Sequence, residues 1–583
     1  MFVPGRRRLS PQRGAIGLSV ALVLMSAVLF VTLAVDTGRL ALEKRRLQQV
    51  ADLSAIHAAS VASCGGAESP DAAAVAAAAQ AVAAQNGYSG DLAAESGAVT
   101  LGKTQTVSGV REFDPTASAG DADAVRVIAA SDFPTSLVAR GLFPGNTRLQ
   151  AVAVANKELL AGFRLGSFLA RLSTGNSVLN PLFGGLLGSS FNLDLVSYQG
   201  IAAAEVSLRD LIDASAGIGT VNELLTTSFS VGDFLDLLID AAGPGSTAGV
   251  ALNQMRMAGV GALPPITLGD ILAVTGANPE SALDAEVNVF DLLSAGLQLA
   301  NKQNAVSIPA FNLNIAPLAA LGLSLYVVEP PKIAIGPPGK NSAGEWRTET
   351  RTAQLRLQLD LSALDLTLGG LITTEVDLSL YLDAAAADAH LRSVRCPTVD
   401  DPVYHVAIGV QPGLASLGVG QFADLAGGTT QASPTLDVVA LGLTVANVSL
   451  SATASVQNPA AGDVTFDVSQ TPIPSPPPPE MTRTVGTEPA TGIANAVATL
   501  SDSLQIQVNV LPALDSPVLV LVKATIQTLL ASLPGVLLPI LQQVLSVAAT
   551  NVLDPLLAAL GLQLGGADVT LILLLAKPSL LVM

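Results

Sequence analysis

Three histidines, two cysteines and one acid–hydroxyl string are the groups in this chain whose types could carry chemistry. His57, His390 and His405 could each act as a general base. That role needs a nucleophile and an orienting acid in contact with the imidazole, and no G-x-S-x-G elbow or comparable anchor accompanies any of the three. They are expected to be surface or packing residues. The string Asp467-Val-Ser-Gln-Thr471 has the D-x-S-x-T form of a magnesium-ligating loop, but it runs directly into Pro472 and a polyproline segment instead of a helix. No H-E-x-x-H pair, EF-hand loop, Walker A motif or G-x-G-x-x-G turn occurs. Catalytic residues, metal ligands and cofactors are therefore read as none, and the chain is not read as an enzyme. Cys64 and Cys396 belong to no C-x-x-C pair. They can form one disulfide closing a very long loop if the body lies outside the cytoplasm, or stay as two buried thiols.

The first element that must position anything in this chain is a membrane helix. Hydrophobic residues make up 50% of the 583 residues and charged residues only 13%, and the mean hydropathy is +0.52. Residues 1–14 hold Arg6, Arg7, Arg8 and Arg13 without an acid, whereas the whole chain carries a net charge of −18. A short basic tail thus precedes an acidic body with no basic stripe, which argues against nucleic acid as a partner. Gly14 to Val35 is uncharged; at 1.5 Å per residue it spans about 33 Å as a helix, against a bilayer core of about 30 Å. The transmembrane helix is placed from Ala15 through Leu22, Leu24 and Phe30 to Val35. The apolar run is longer than a signal-peptide core, and no small-x-small cleavage site precedes Asp36, so the segment is expected to stay. Four bases precede the span and Arg39, Lys44, Arg45 and Arg46 follow it, so the positive-inside count is tied. The short tail, large acidic body and cysteine pair favour a cytoplasmic N-terminus with the body outside.

Beyond the span, Leu40, Leu47, Val50, Leu53 and Ile56 recur at helical spacing with polar residues between them. A stem helix is expected over 36–63, followed by an alanine-rich helix from Ala72 to Ala84. Residues 64–348 read as a mixed, mainly helical extracytoplasmic region. In 349–470, Leu355–Leu361 and Val376–Leu382 alternate with period two, the pattern of half-buried strands. Residues 471–485 form a Pro-rich linker or loop, and 486–583 a strand followed by short apolar helices broken by prolines and a terminal strand. Ala524–Leu553 is apolar enough to raise the question of a second span, but its prolines, glutamines and asparagine read as globular core. No internal repeat is evident. The fold class is α+β: one N-terminal transmembrane helix continuing into a juxtamembrane stem helix, then a large mixed ectodomain with helical and antiparallel β parts.

Arg13-Gly-Ala-Ile-Gly, the span, Ala34-Val-Asp-Thr-Gly-Arg-Leu40 and Arg45-Arg-Leu-Gln-Gln-Val-Ala-Asp-Leu-Ser-Ala55 together resemble the TadE/TadG-like N-terminal module of tight-adherence (Flp) pilus-assembly proteins. Asp36, Gly38, Arg39, Arg46, Leu47, Gln48, Ala51 and Asp52 carry the match. A weaker similarity to longer TadG-like membrane proteins covers Gly166–Asp210 and the ending Leu560–Val569. The resemblance implies a single-pass inner-membrane protein with a periplasmic body, a structural or assembly component of a pilus or surface-attachment system. The implied partners are the lipid bilayer, pilus-assembly or envelope proteins, and a second copy through the stem helix. Some relatives carry a von Willebrand A-type domain; the string at Asp467 does not meet that domain's requirements, so metal-dependent adhesion is not carried over. The competing readings are a secreted or anchored adhesin and, behind it, an extracytoplasmic enzyme.

Overall fold

The computed structural model describes residues 15–64, 71–107, 110–115, 122–137, 140, 144–157, 159–166, 176–276, 279–315, 318–368, 370–431, 435–456, 461–469, 471, 473–474, 477–486, 489–517 and 519–582. The chain is α+β and divides into two compact units. One comprises the first 65 residues, Ser69–Lys157 and Lys577–Met583; the other is essentially Glu158–Ala576.

The first unit is organised by one uninterrupted helix, α1 (Ala15–Cys64), of 50 residues. No proline or positive-φ residue interrupts it, and its character changes at Asp36. Before that point Leu18, Leu22, Leu24, Phe30 and Val35 are all exposed, as lipid-facing residues are outside a bilayer. After it, Leu47, Val50, Ala51, Ser54, Ala55, Ala58 and Ala59 are buried at intervals of three and four, a single stripe. Helix α2 (Ala72–Gln85) starts where the Asp71 carboxylate accepts from the Ala73 N–H. It adds Val75, Ala79 and Ala83 to the same core. Strands β1 (Val99–Val107), β2 (Val110–Asp114), β3 (Ala124–Pro134) and β4 (Asn146–Asn156) form an antiparallel sheet ordered β2-β1-β3-β4. β3 and β4 pair without a break from Ala124–Asn156 to Pro134–Asn146. Their inward residues Val125, Val127, Ala129, Ala151, Ala153 and Ala155 meet the helical alanines; small side chains on both partners let backbone approach backbone. The chain returns at its far end, where Leu580–Leu581 pairs with β4 and the Val582 N–H donates to Val154 O.

The second unit holds three main sheets, of which the eight-stranded and the five-stranded contribute to one large apolar core. Leu355, Leu357, Leu359 and Leu361 are buried in alternation on one strand, and Val376, Leu378, Leu380 and Leu382 are buried on the next, where Ser379 and Tyr381 are buried as well. These strands, Gln354–Leu368 and Ile372–Ala384, stand at the centre of an eight-stranded antiparallel sheet. A four-stranded sheet includes Asp388–Arg395, Tyr404–Gln411 and Gly462–Val468. In a five-stranded sheet β5 (Leu159–Leu165) lies between Gly566–Ala576 and Ile333–Gly336.

Residues 205–300 contain a repeat that the sequence reading passed over. Val206-Ser-Leu-Arg-Asp-Leu-Ile212, Phe229-Ser-Val-Gly-Asp-Phe-Leu235, Ile266-Thr-Leu-Gly-Asp-Ile-Leu272 and Val287-Asn-Val-Phe-Asp-Leu-Leu293 share one pattern: apolar, cap residue, apolar, any, Asp, two apolar. Each is a two- or three-residue strand turning into a helix. Ser207 and Ser230 accept from the N–H groups of Asp210 and Asp233, both at 3.1 Å, satisfying helix-start donors that would otherwise be orphaned. The first strand pairs with the fourth and the second with the third. The repeat escapes notice because only seven residues recur and the intervening segments differ in length.

The C-terminal apolar region differs from expectation. In place of short helices broken by prolines, Lys523–Ala548 is one helix of 26 residues with Pro534 and Pro539 inside it. Both prolines avoid the buried face, where Ile526, Leu530, Leu533, Leu537, Leu541 and Leu545 keep a continuous stripe; packing along that stripe outweighs two missing backbone bonds. The exposed side carries Thr525, Gln527, Thr528, Ser532, Gln542 and Gln543 and no large exposed apolar residue. By length and composition this helix could also cross a membrane.

Candidate functional site on the stem helix

The residues that carry the family resemblance gather along the line where α1 meets the β3–β4 hairpin. The Asp36 carboxylate, buried at the first position after the apolar span, accepts from the Ser136 hydroxyl and from the Leu137 N–H at 3.0 Å. These two hydrogen bonds hold its pKa below the usual carboxylate value of 3.8. One turn on, the Arg39 guanidinium donates to Pro134 O. Further along, Lys44 donates to Gln150 O and Gln48 Nε2 to Val152 O at 3.0 Å, with Asp52 Oδ1 accepting from the same amide at 2.7 Å. Ser63 Oγ donates to Lys157 O at 3.1 Å, and the Lys157 ammonium donates to Ser60 Oγ at 3.2 Å. The hairpin thus lies along the stem, and side chains of α1 serve as donors to backbone carbonyls of β4 and of the tip of β3. Carbonyls on a sheet edge need such partners or another strand.

The remaining motif residues sort by surroundings. Leu47 and Ala51 are core. Arg46 reaches Gly87, just past the end of α2: Gly87 has φ +73°, so the turn favours a glycine for its backbone conformation. Gly38 is different, because a Cβ there would meet nothing within 4 Å. Packing inside the module does not require this glycine.

Among the histidines, His57 is exposed on α1. His390 stacks on Trp346 with ring centroids 3.9 Å apart, and the Lys340 ammonium sits 4.2 Å from the same indole centroid, a cation–π contact. His405 lies between two carboxylates. Its Nδ1 lies 2.6 Å from Asp467 Oδ1 and its Nε2 2.8 Å from Asp401 Oδ2, and Arg395 pairs with the same Asp401 carboxylate at 2.9 Å. The hydrogen bond from His405 holds Asp401 below the usual carboxylate range. Asp467, the first residue of the D-x-S-x-T string, is therefore engaged in a hydrogen-bonded network through His405. Among the described residues no group of three or more His, Cys, Asp or Glu is placed to hold a metal ion.

One buried charge pair was invisible to pattern reading. Arg164 on β5 pairs with Asp291, at the acid position of the fourth repeat, and the two side chains are only 9% and 23% exposed. A cavity of about 30 Å³ adjoins them, lined by Arg164, Asp291, Ser294, Lys332 and Gly561 among others. It has room for water and not for a metabolite.

Both cysteines are disulfide-bonded and no free cysteine remains, a state that persists in an oxidising compartment. The denatured chain is therefore expected to show no reactive thiol before reduction and two after it. A thiol titrating without reductant would contradict this.

With the geometry in place, comparison with known proteins finds three family models. Residues 14–61 match "Putative Flp pilus-assembly TadE/G-like", residues 57–155 match "Putative Tad-like Flp pilus-assembly", and residues 175–305 match a domain of unknown function, DUF8293. The first two together cover α1 and the hairpin it grips; the third covers the four-fold repeat. No curated protein and no solved structure matches the chain.

Proposed function

We propose, taking the TadE/G-like module that opens the chain as premise, that this is a single-pass inner-membrane protein serving assembly of a tight-adherence pilus. Its N-terminus is cytoplasmic and its body periplasmic, and its role is structural, not enzymatic. The observation that carries this reading is the change within one helix at Asp36: an all-round apolar, exposed segment long enough to span the bilayer becomes a one-sided stem that holds a β-sheet module. Such a helix transmits position from the membrane to the module with no hinge between them. The stem side away from the hairpin leaves Gly38, Leu42, Arg45, Gln49, Leu53 and His57 exposed. The open space at Gly38 suits close approach by a partner helix, either a pilus-assembly protein or a second copy of this chain.

The reading is tested by fusing periplasmic and cytoplasmic reporters after Gly66, Gly339 and Gly566. Periplasmic activity is expected at all three. A cytoplasmic signal at Gly566 alone would mean that Lys523–Ala548 crosses the membrane, and a cytoplasmic signal throughout would invert the topology.

A further inference from the structure

The β3–β4 hairpin points its tip at the membrane. Its contacts with α1 run in order from Lys157 beside Ser60 and Ser63, through Val152 beside Gln48 and Gln150 beside Lys44, to Pro134 beside Arg39 and Leu137 beside Asp36. Each step toward the tip is a step toward the apolar span. The 21 residues from Ala15 to Val35 make about 32 Å of helix, against about 30 Å of hydrocarbon, so Asp36 stands at headgroup level. The Leu137 N–H is 3.0 Å from its carboxylate, so Leu137 stands at that level too.

Two described residues of the tip suit that environment. Leu137 is 54% exposed, a large apolar side chain presented to solvent beside a buried acid. Arg140 is also exposed. From Phe133 to Gly145 the turn between the two strands contains Arg140 and no acid, in a chain whose net charge is −18. A basic turn within an acidic protein is complementary to anionic lipid headgroups.

We propose that the hairpin tip rests on the bilayer surface, with Leu137 in the interface of the leaflet from which the stem emerges and Arg140 against lipid phosphate. This rests on the membrane reading above and adds to it a second point of contact. A single helix is free to tilt and to rotate about its axis; a second contact, rigidly tied to the helix through Asp36 and Arg39, fixes the face that the module turns toward its partners.

The test uses the full chain in vesicles of phosphatidylcholine and phosphatidylglycerol, with or without bromine on the acyl chains close to the headgroup. Trp346 is the only native tryptophan, so Leu137→Trp adds one reporter whose emission is obtained by subtracting that of the parent. Its emission is expected to be quenched by brominated lipid. Arg140→Glu in that background is expected to weaken the quenching when phosphatidylglycerol is present and to leave it unchanged in phosphatidylcholine alone. Emission at Leu137→Trp that is unquenched while Leu24→Trp is quenched in the same vesicles overturns the proposal and leaves the membrane anchor standing. Absence of quenching at both positions overturns the anchor and the proposal with it.

Discussion

Asp291→Ala is expected to destabilise the protein by up to about 3–5 kcal/mol, because it removes the carboxylate paired with the buried Arg164 guanidinium. Arg164 sits on β5, in the middle of a five-stranded sheet, and burial already pushes its pKa down. The nearby Glu205 opposes that shift and keeps part of the charge compensation when Asp291 is removed. The other repeats give a measure of what is particular here. Asp210 and Asp233 turn back to cap their own helices, whereas the fourth helix start is capped by Asn288, whose Oδ1 accepts from Phe290 at 3.0 Å and Asp291 at 3.3 Å. The Asp291 carboxylate is thereby released to reach the sheet. As a control, Asp236→Ala removes the partner of Arg256, but those side chains are 49% and 38% exposed, and such solvent-screened pairs contribute less than about 1 kcal/mol. The check is the unfolding midpoint of the detergent-solubilised chain followed by circular dichroism. Equal shifts for the two variants would mean that the Arg164 pair is not desolvated in the way its burial indicates. Joining Arg164→Met to Asp291→Leu should recover most of the loss, since an apolar pair of similar volume needs no charge compensation.

Local signals carried the reading of α1 and of the central strands. Twenty-one uncharged residues from Ala15 to Val35, bounded by Asp36, define the span, and the leucines of 355–361 and 376–382 expose their period whatever they pack against. The motif residues could be located in the sequence, but what they touch could not. Asp36 meets Ser136 and Leu137 a hundred residues away, and nothing between them encodes that distance. The same holds for Arg164 with Asp291 and for His405 with Asp467, where single residues on separate elements meet only through the topology. Pro534 and Pro539 misled for a different reason. A proline's local cost to a helix is fixed, whereas the gain from burying Ile526, Leu530, Leu533, Leu537, Leu541 and Leu545 together depends on a core that one segment does not reveal. The four-fold repeat was legible in principle. The signal was the recurrence of a cap residue three positions before an aspartate within an apolar frame, too short to register unless the cap itself is the feature sought.

Replacing Asp36 by alanine is expected to free the hairpin tip from the stem while leaving the rest of the module folded. The carboxylate is the acceptor for both the Ser136 hydroxyl and the Leu137 N–H, and hydrogen bonds to a charged acceptor are the stronger kind. Hydrogen exchange at the Leu137 amide should quicken by roughly tenfold or more. The amides of Val127 and Ala153, held by the β3–β4 ladder, should keep their protection. Asp36→Asn should fall between, because its single carbonyl oxygen can serve one donor well but carries no charge. Acid should reproduce the effect in the native chain. Since the folded-state pKa of Asp36 lies below 3.8, the clamp contributes in full above that pH and is lost as pH falls through the folded value; it therefore persists throughout the neutral range. If the stem and hairpin act as one body in assembly, Asp36→Ala should insert in the membrane normally yet capture less of its pilus-assembly partners. Normal capture with a freed tip would show that the stem's outer face alone suffices for docking, and quickened exchange at Val127 as well would show that Asp36 supports the whole module and not its tip.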